Sequence, residues 1–206
     1  MSIVYLDIET IPGEKKPTID DISCPCNIKK PDSIKKWFDE NAASEIEKLW
    51  RKQSLAAEQG RIICIGIGID NEKPFTVDSV AEFYKATPKT IDLFVGHNIR
   101  AFDAPWIFKH SIRHGVKPHA NQQFAFNKFR GNIADTMEMW ACEVYGSRTK
   151  LDTIAKFLGV GQKTEGIDGS KVFDYWLDGR IEEIESYCCD DVALTREVYK
   201  RLKWSM

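Results

Sequence analysis

Apolar and β-branched runs recur at 3–8, 61–69, 75–77 and 91–96, with a shorter one near 132–134, and each has the length and composition of a strand. The run "RIICIGIGI" alternates with small residues, and Asn71-Glu72-Lys73-Pro74 separates it from 75–77 with the composition of a hairpin turn. After residue 78 helical spacing takes over between the strands, predicting helices over 79–86, 103–114, 135–145, 151–158, 170–178 and 181–202. Strands interleaved with helices predict an α/β fold, a mixed sheet covered by helices. Residues 13–60 stand between the first two strands as an insertion. Its first half reads as irregular, and 44–58 reads as a helix capped by Ser44 with Glu47 three residues on. Two roles stay open for it, a flap over a site or a surface excursion packed on the sheet.

Composition adds limits rather than a function. A chain of 206 residues, 43% hydrophobic and 29% charged, is long enough for one sizeable core and has no linker-like stretch, so residues 1–206 are expected to form a single domain. The N-terminus lacks a basic segment followed by an apolar one, and no apolar run reaches the roughly 18 residues that span a bilayer, which argues against secretion and membrane insertion. Six cysteines show no disulfide spacing, and reduced thiols in a cytoplasmic protein are expected. Cys24-Pro25-Cys26 is half of a structural zinc set, without a second pair of matching spacing. At a net charge of −2, a nucleic-acid partner has to be met by local basic surface and not by the field of the whole protein.

The first run ends unusually. In "IVYLDIET" alternate residues share a face, so Ile3, Tyr5, Asp7 and Glu9 point one way and Val4, Leu6 and Ile8 the other. Both faces begin apolar, and one turns anionic only at the carboxyl end, where open α/β sheets place ligands. Two adjacent carboxylates repel unless a cation neutralises both, and hard divalent ions suit such oxygens. The alternative is a strand that emerges into water at Asp7.

The last helix narrows the choice. At about 100° per residue, Ile184, Tyr187, Cys188, Asp191, Thr195, Val198 and Leu202 fall on one face, with Glu182, Glu185, Arg196 and Lys200 opposite. Asp191 thus lies within an inward stripe, where an unpaired carboxylate is costly. A metal ion or a Lys or Arg from elsewhere would compensate it. Tyr187, one turn earlier, shares its face. A fourth acid, Asp103, follows the run 91–96 in "VGHNIRAFDAPWIFKH"; alone it reads as a helix N-cap with Pro105 in the first turn. If the two strands are parallel, His97, Asn98 and Asp103 approach Asp7 and Glu9.

Asp7-x-Glu9-Thr10, Asn98-x-x-x-Phe102-Asp103-x-Pro105 and Tyr187-x-x-x-Asp191 resemble the three exonuclease motifs of the DEDD (DnaQ-like) superfamily, tyrosine subclass. More closely, the chain resembles the predicted 3′–5′ exonucleases related to the proofreading domain of family B DNA polymerases. Gly60-Arg61-Ile62, Asp135-Thr136-Met137, Leu151-Asp152 and Gly169-Ser170-Lys171-Val172 extend the resemblance over nearly the whole chain. It implies a ribonuclease H-like fold with a mixed five-stranded sheet whose second strand is antiparallel, and two divalent ions, Mg²⁺ or Mn²⁺. It assigns metal ligation to Asp7, Glu9, Asp103 and Asp191, catalysis to these four with Tyr187 orienting the attacking water, and substrate contacts to Thr10, Ile11, His97, Asn98 and Phe102. The implied partner is the 3′ end of single-stranded DNA, with RNA as the runner-up and a polymerase or another replication or repair protein as a further partner. No polymerase domain follows within the 206 residues, so a free-standing exonuclease is expected. A non-catalytic nucleic-acid-binding module of the same fold is the rival from another class. Lys128, Arg130, Arg148, Lys150, Lys163 and Lys171 are candidates to track phosphates. Asp135 and Asp152 read as helix caps.

Overall fold

The computed structural model describes residues 2–127, 131–142, 144, 146–163 and 166–205. β1 (Ile3–Ile11), β2 (Arg61–Ile69), β3 (Phe75–Val77), β4 (Leu93–Gly96) and β5 (Ile133–Asp135) form one mixed sheet in the order β3-β2-β1-β4-β5. β1 is central, which explains why its two faces both start apolar: Val4, Tyr5, Leu6 and Ile8 are all buried. It pairs in parallel with β4, Tyr5 opposite Val95, and β4 pairs in parallel with β5, Gly96 opposite Asp135. β2 is antiparallel to β3, and Asp70 just past its end donates its N–H to Ile3 O at 2.9 Å, so β2 also runs against β1. The carboxyl ends of β1, β4 and β5 therefore share one edge of the sheet.

Seven α-helices occur among the described residues: α1 (Pro31–Lys52), α2 (Val80–Ala86), α3 (Asp103–Arg113), α4 (Thr136–Ala141), α5 (Leu151–Leu158), α6 (Val172–Leu177) and α7 (Ile181–Leu202). Six follow the predicted segments closely. α4 stops four residues short of the predicted end because Cys142 enters the left-handed region at φ 48. α1 differs more. It starts at Pro31, thirteen residues before the predicted cap, and Ser44 lies inside it. Pro at the first helical position is pre-set for the helix, a start signal that the polar sequence 31–43 hides from a reading based on apolar spacing.

α7 packs on the sheet through the predicted stripe. Ile184, Tyr187, Cys188, Asp191, Thr195 and Val198 are buried, and Val192 joins Tyr5, Val95 and Tyr199 in one apolar cluster. A second cluster sets Leu194 and Val198 against Leu151, Ile154 and Ala155 of α5. Each such fully buried aliphatic side chain contributes about 1.5–3 kcal/mol of burial free energy. The small residues in β2 have a purpose here. A Cβ on Gly66 would stand 2.8 Å from Cys188 Sγ and 2.9 Å from Val192, so glycine lets α7 approach closely enough to bring its acid over the end of β1.

The chain divides into two compact units, Met1–Glu9 with Ile62–Met206, and Thr10–Arg61. In the second, Trp50 Nε1 donates to Gly13 O at 2.9 Å and Gln53 Oε1 accepts from Gly13 N at 3.1 Å, tying α1 to the segment after β1. Arg61 and Glu14 close it with an ion pair at 3.1 Å. Cys24 and Cys26 lie in this unit as free thiols. No helix among the described residues is long and apolar enough to cross a membrane.

Candidate metal centre

Two acids arrive on β1 and a third from the loop that leaves β4. Gly96 ends β4 where a side chain could not fit: its Cβ would stand 2.6 Å from Ile99 and 3.0 Å from Leu6 O. Asn98 then takes φ 65, a left-handed conformation that asparagine tolerates better than most residues. Its carbonyl accepts the N–H of Phe102 at 3.0 Å, closing the turn into α3. Asp135 grips this loop from β5, accepting the N–H groups of Asn98 at 2.8 Å and Arg100 at 3.1 Å while also capping α4 through Met137 N at 3.0 Å. Asp103 is the first residue of α3, and Phe102 holds the N-cap position. Instead of capping its helix, Asp103 turns one oxygen to the N–H of Ile8 at 3.0 Å, which locks it beside β1 between Asp7 and Glu9 in sequence.

The fourth acid, Asp191, is 5% exposed on α7. It pairs with Lys163, whose ammonium also donates to the Tyr187 hydroxyl at 2.9 Å. Tyr187 lies one turn before Asp191 on the same buried face of α7. The sequence left open whether Asp191 meets a cation from elsewhere in the chain, and it does. Lys163 comes from a loop with no periodic pattern and is itself held by Asp152, which accepts its N–H at 2.9 Å. Asp152 is therefore not the cap of α5; Lys150 occupies that position, and Asp152 anchors the lysine.

One ammonium does not balance four carboxylates. Glu9 is 7% exposed, and among the described residues it has neither a hydrogen bond nor an ion pair, although Lys163 acts on it through space. Burial, then Cys64, Asp191 and Asp103 push its carboxyl well above the ordinary range, with Lys163 opposing. Asp7 is raised likewise by burial, then by Glu9, Asp103 and Asp191. Asp103 is pushed up to about 7, chiefly by burial, against its own backbone N–H and that of Ile8. Asp191 is raised by burial, with Lys163 and Tyr187 opposing. A largely buried glutamate with no side-chain partner among the described residues, beside three further acids, is a donor set made of hard oxygens, which fits divalent cations such as Mg²⁺ or Mn²⁺. Cys188 stands inside the same cluster, its Sγ 3.6 Å from Asp7 Oδ2. Asp7, Glu9 and Cys188 place one donor atom each within 4.8 Å of one another.

The residues named for substrate contact are held in different ways. His97 is drawn inward: Nε2 donates to Thr149 O at 3.0 Å and Nδ1 lies 2.9 Å from Thr136 Oγ1. Burial lowers its pKa, so the ring is neutral and joins the end of β4 to the segment before α5. Phe102 is half-buried, with its ring 5.6 Å from that of Trp106. Thr10 and Ile11 belong to the second unit, where the Thr10 hydroxyl donates to Ser54 O at 2.6 Å and Ile11 is fully buried. Of the basic residues, Arg148 and Lys150 are exposed, Lys171 donates to Gly166 O at 3.0 Å, and Lys128 and Arg130 lie outside the described residues.

Known proteins resemble this chain at three levels. A family model described as a predicted 3′–5′ exonuclease related to the exonuclease domain of PolB matches residues 53–205. A DNA polymerase of Archaeoglobus fulgidus is 25% identical over 119 residues, covering 54% of this chain and 15% of the polymerase. The structure of the family B DNA polymerase from the hyperthermophilic archaeon Pyrobaculum calidifontis superimposes with a TM-score of 0.61 at 16% identity, over 98% of this chain and 24% of that one. The chain thus spans a quarter or less of either polymerase, and the structural match speaks for the fold, α/β with the mixed five-stranded sheet of the ribonuclease H-like exonuclease domain. The matched span carries β4, α3 and α7 with Asp103, Tyr187 and Asp191, whereas β1 with Asp7 and Glu9 precedes it; the span takes in well over half of the chain, which belongs to the family of predicted 3′–5′ exonucleases related to the exonuclease domain of PolB.

Proposed function

We propose that this chain is a metal-dependent 3′–5′ exonuclease that hydrolyses single-stranded DNA from its 3′ end. The observation that carries the reading is the gathering of Asp7, Glu9, Asp103 and Asp191 with Tyr187 at one edge of the sheet, with Lys163 among the described residues set against four carboxylates. Asp7, Glu9 and Asp191 would hold divalent ions, and Asp103, held by the Ile8 N–H, would support them. The chemistry supplied by a bound pair of ions is a nucleophilic water at neutral pH and compensation of charge on the attacking and leaving oxygens at phosphorus.

The protein's own groups do the positioning. Burial and the neighbouring Asp191, Glu9 and Asp7 push the Tyr187 phenol far above its ordinary value, so it keeps its proton and serves as a donor that orients the attacking water, not as a base. Lys163, already on Tyr187 and Asp191, offers a cation to a phosphate oxygen once cations from solution relieve it of the acids. Phe102 offers a ring face to an unpaired terminal base, and the Asn98 side chain lines the same approach. His97 acts behind them as the strut that fixes the end of β4.

The test is digestion of 5′-labelled single-stranded DNA and of the matched RNA with Mg²⁺, with Mn²⁺ and with chelator. A cation-dependent ladder that shortens from the 3′ end is expected, faster on DNA. Binding of both strands without cleavage under any cation would overturn the reading in favour of a non-catalytic module; faster RNA cleavage would change the substrate and keep the chemistry. Tyr187→Phe is expected to lower kcat about ten- to a hundred-fold, the cost of a misplaced reactant, with KM and Mn²⁺ affinity little changed. Equal kcat in the variant would reduce Tyr187 to packing.

A further inference from the structure

Cys188 is unexplained by hydrolysis. Its side chain is completely buried, seated against Gly66, with Sγ 3.6 Å from Asp7 Oδ2 and 3.7 Å from Asp7 O. Cys64 of β2, also buried, adds to the environment of the Cys188 thiol. Hard cations such as Mg²⁺ avoid sulfur, so the thiol adds nothing to a site built for them. For a thiophilic ion the arrangement reads differently. A tetrahedral ion with sulfur at about 2.3 Å and carboxylate oxygen at about 2.1 Å separates the two donors by about 3.6 Å. That is the separation found between Cys188 Sγ and Asp7 Oδ2. Glu9, 7% exposed and without a partner among the described residues, brings its carboxylate within 4.8 Å of both.

We propose that Cys188, Asp7 and Glu9 form a second, thiophilic cation site inside the acid cluster, which takes an ion of the Zn²⁺ or Cd²⁺ class. Binding displaces the Cys188 thiol proton to solvent and forms a sulfur–metal bond, with no change in oxidation state. Because the ion uses two of the four acids, it excludes the hard cations and arrests cleavage. The arrest rests on the exonuclease reading; the binding does not.

The experiment uses the full chain carrying Cys24→Ser, Cys26→Ser, Cys142→Ser and Cys189→Ser, which removes the thiols that are exposed or half-exposed. Cd²⁺ alone is titrated in while the ultraviolet sulfur-to-cadmium charge-transfer band is followed. One equivalent is expected to saturate the band. Cys188→Ser should remove it and weaken Cd²⁺ binding by at least roughly ten- to a hundred-fold, the scale at which even supporting groups act on metal affinity. Glu9→Gln, which keeps the thiol, should retain the band and weaken binding by a similar factor. In parallel, Zn²⁺ is added to the Mn²⁺-dependent digestion, and the concentration for half inhibition should rise by the same factor in Cys188→Ser, each protein normalised to its own rate. No band in the parent, or an unchanged band and affinity in Cys188→Ser, overturns the site. Should Cys188→Ser fail to fold, Glu9→Gln decides, and unchanged affinity there also overturns it. A parent that shows the band but cleaves nothing under any cation upholds the site and removes the exonuclease reading instead.

Discussion

Asp7→Asn is expected to abolish cleavage while raising the melting temperature of the metal-free protein. The two effects have one cause. Asp7 is half-buried among Glu9, Asp103 and Asp191, each of which raises its carboxyl, with Lys163 opposing them. The amide has nearly the same shape and no charge, so like-charge repulsion falls, which is worth on the order of 1 kcal/mol at the effective dielectric of a partly buried site. The loss of a carboxylate that would hold the ions should cost a thousand-fold or more in rate, about 4 kcal/mol of transition-state stabilisation. Such a trade of stability against activity is common where a site is built from mutually repelling groups. Digestion of labelled single-stranded DNA and thermal unfolding in chelator read the two halves separately. Retained cleavage would take Asp7 out of the site; a lowered melting temperature would mean that its charge is net favourable even without metal.

The second large effect is a stability that falls with pH until cations are supplied. Asp103 is held at about 7 in the folded chain, against 3.8 for an ordinary Asp, and Asp7 and Glu9 are raised in the same direction. Between about pH 4 and pH 7 the folded chain therefore binds more protons than the unfolded one, and stability declines as pH rises through that window. For Asp103 alone the displacement from 3.8 to about 7 corresponds to on the order of 4 kcal/mol, present below pH 4 and gone above pH 7. Other acids oppose this: Glu47, Asp152 and Asp168 are lowered, mainly by hydrogen bonds from Lys16, Lys156 and Ser170, but all are at the surface and weakly felt. Denaturant unfolding in chelator should give a lower midpoint at pH 8 than at pH 5.5. Mn²⁺ or Mg²⁺ at pH 8 should restore it, because a ligand that binds only the folded state stabilises it by mass action. Lys163→Ala should widen the difference by removing the counter-charge that meets Asp191. A midpoint independent of pH, or unmoved by cations at pH 8, would contradict an uncompensated acid cluster.

What sequence alone determined is what periodicity encodes. The alternation of "IVYLDIE" placed Asp7 and Glu9 on one face of a strand. The stripe of the last helix placed Tyr187 and Asp191 on its buried side, because backbone geometry dictates which residues share a face whatever the rest of the chain does. For Asp103 the sequence offered a helix cap, or an approach to Asp7 and Glu9 on condition that the strands run parallel, and the sheet meets that condition. Only the tertiary structure decided which groups those acids meet. Asp103 serves β1 and not its own helix because Ile8 leaves an N–H facing it that no strand partner takes. Lys163 reaches Asp191 from a loop 28 residues away in sequence, steered by Asp152, and no local pattern marks such a residue. Cys188 looked like one more apolar position in a stripe until Gly66 of another strand set its sulfur beside Asp7. Faces are a property of short segments, whereas partners depend on which segments the packed sheet brings together, and at this site the partners carry the chemistry.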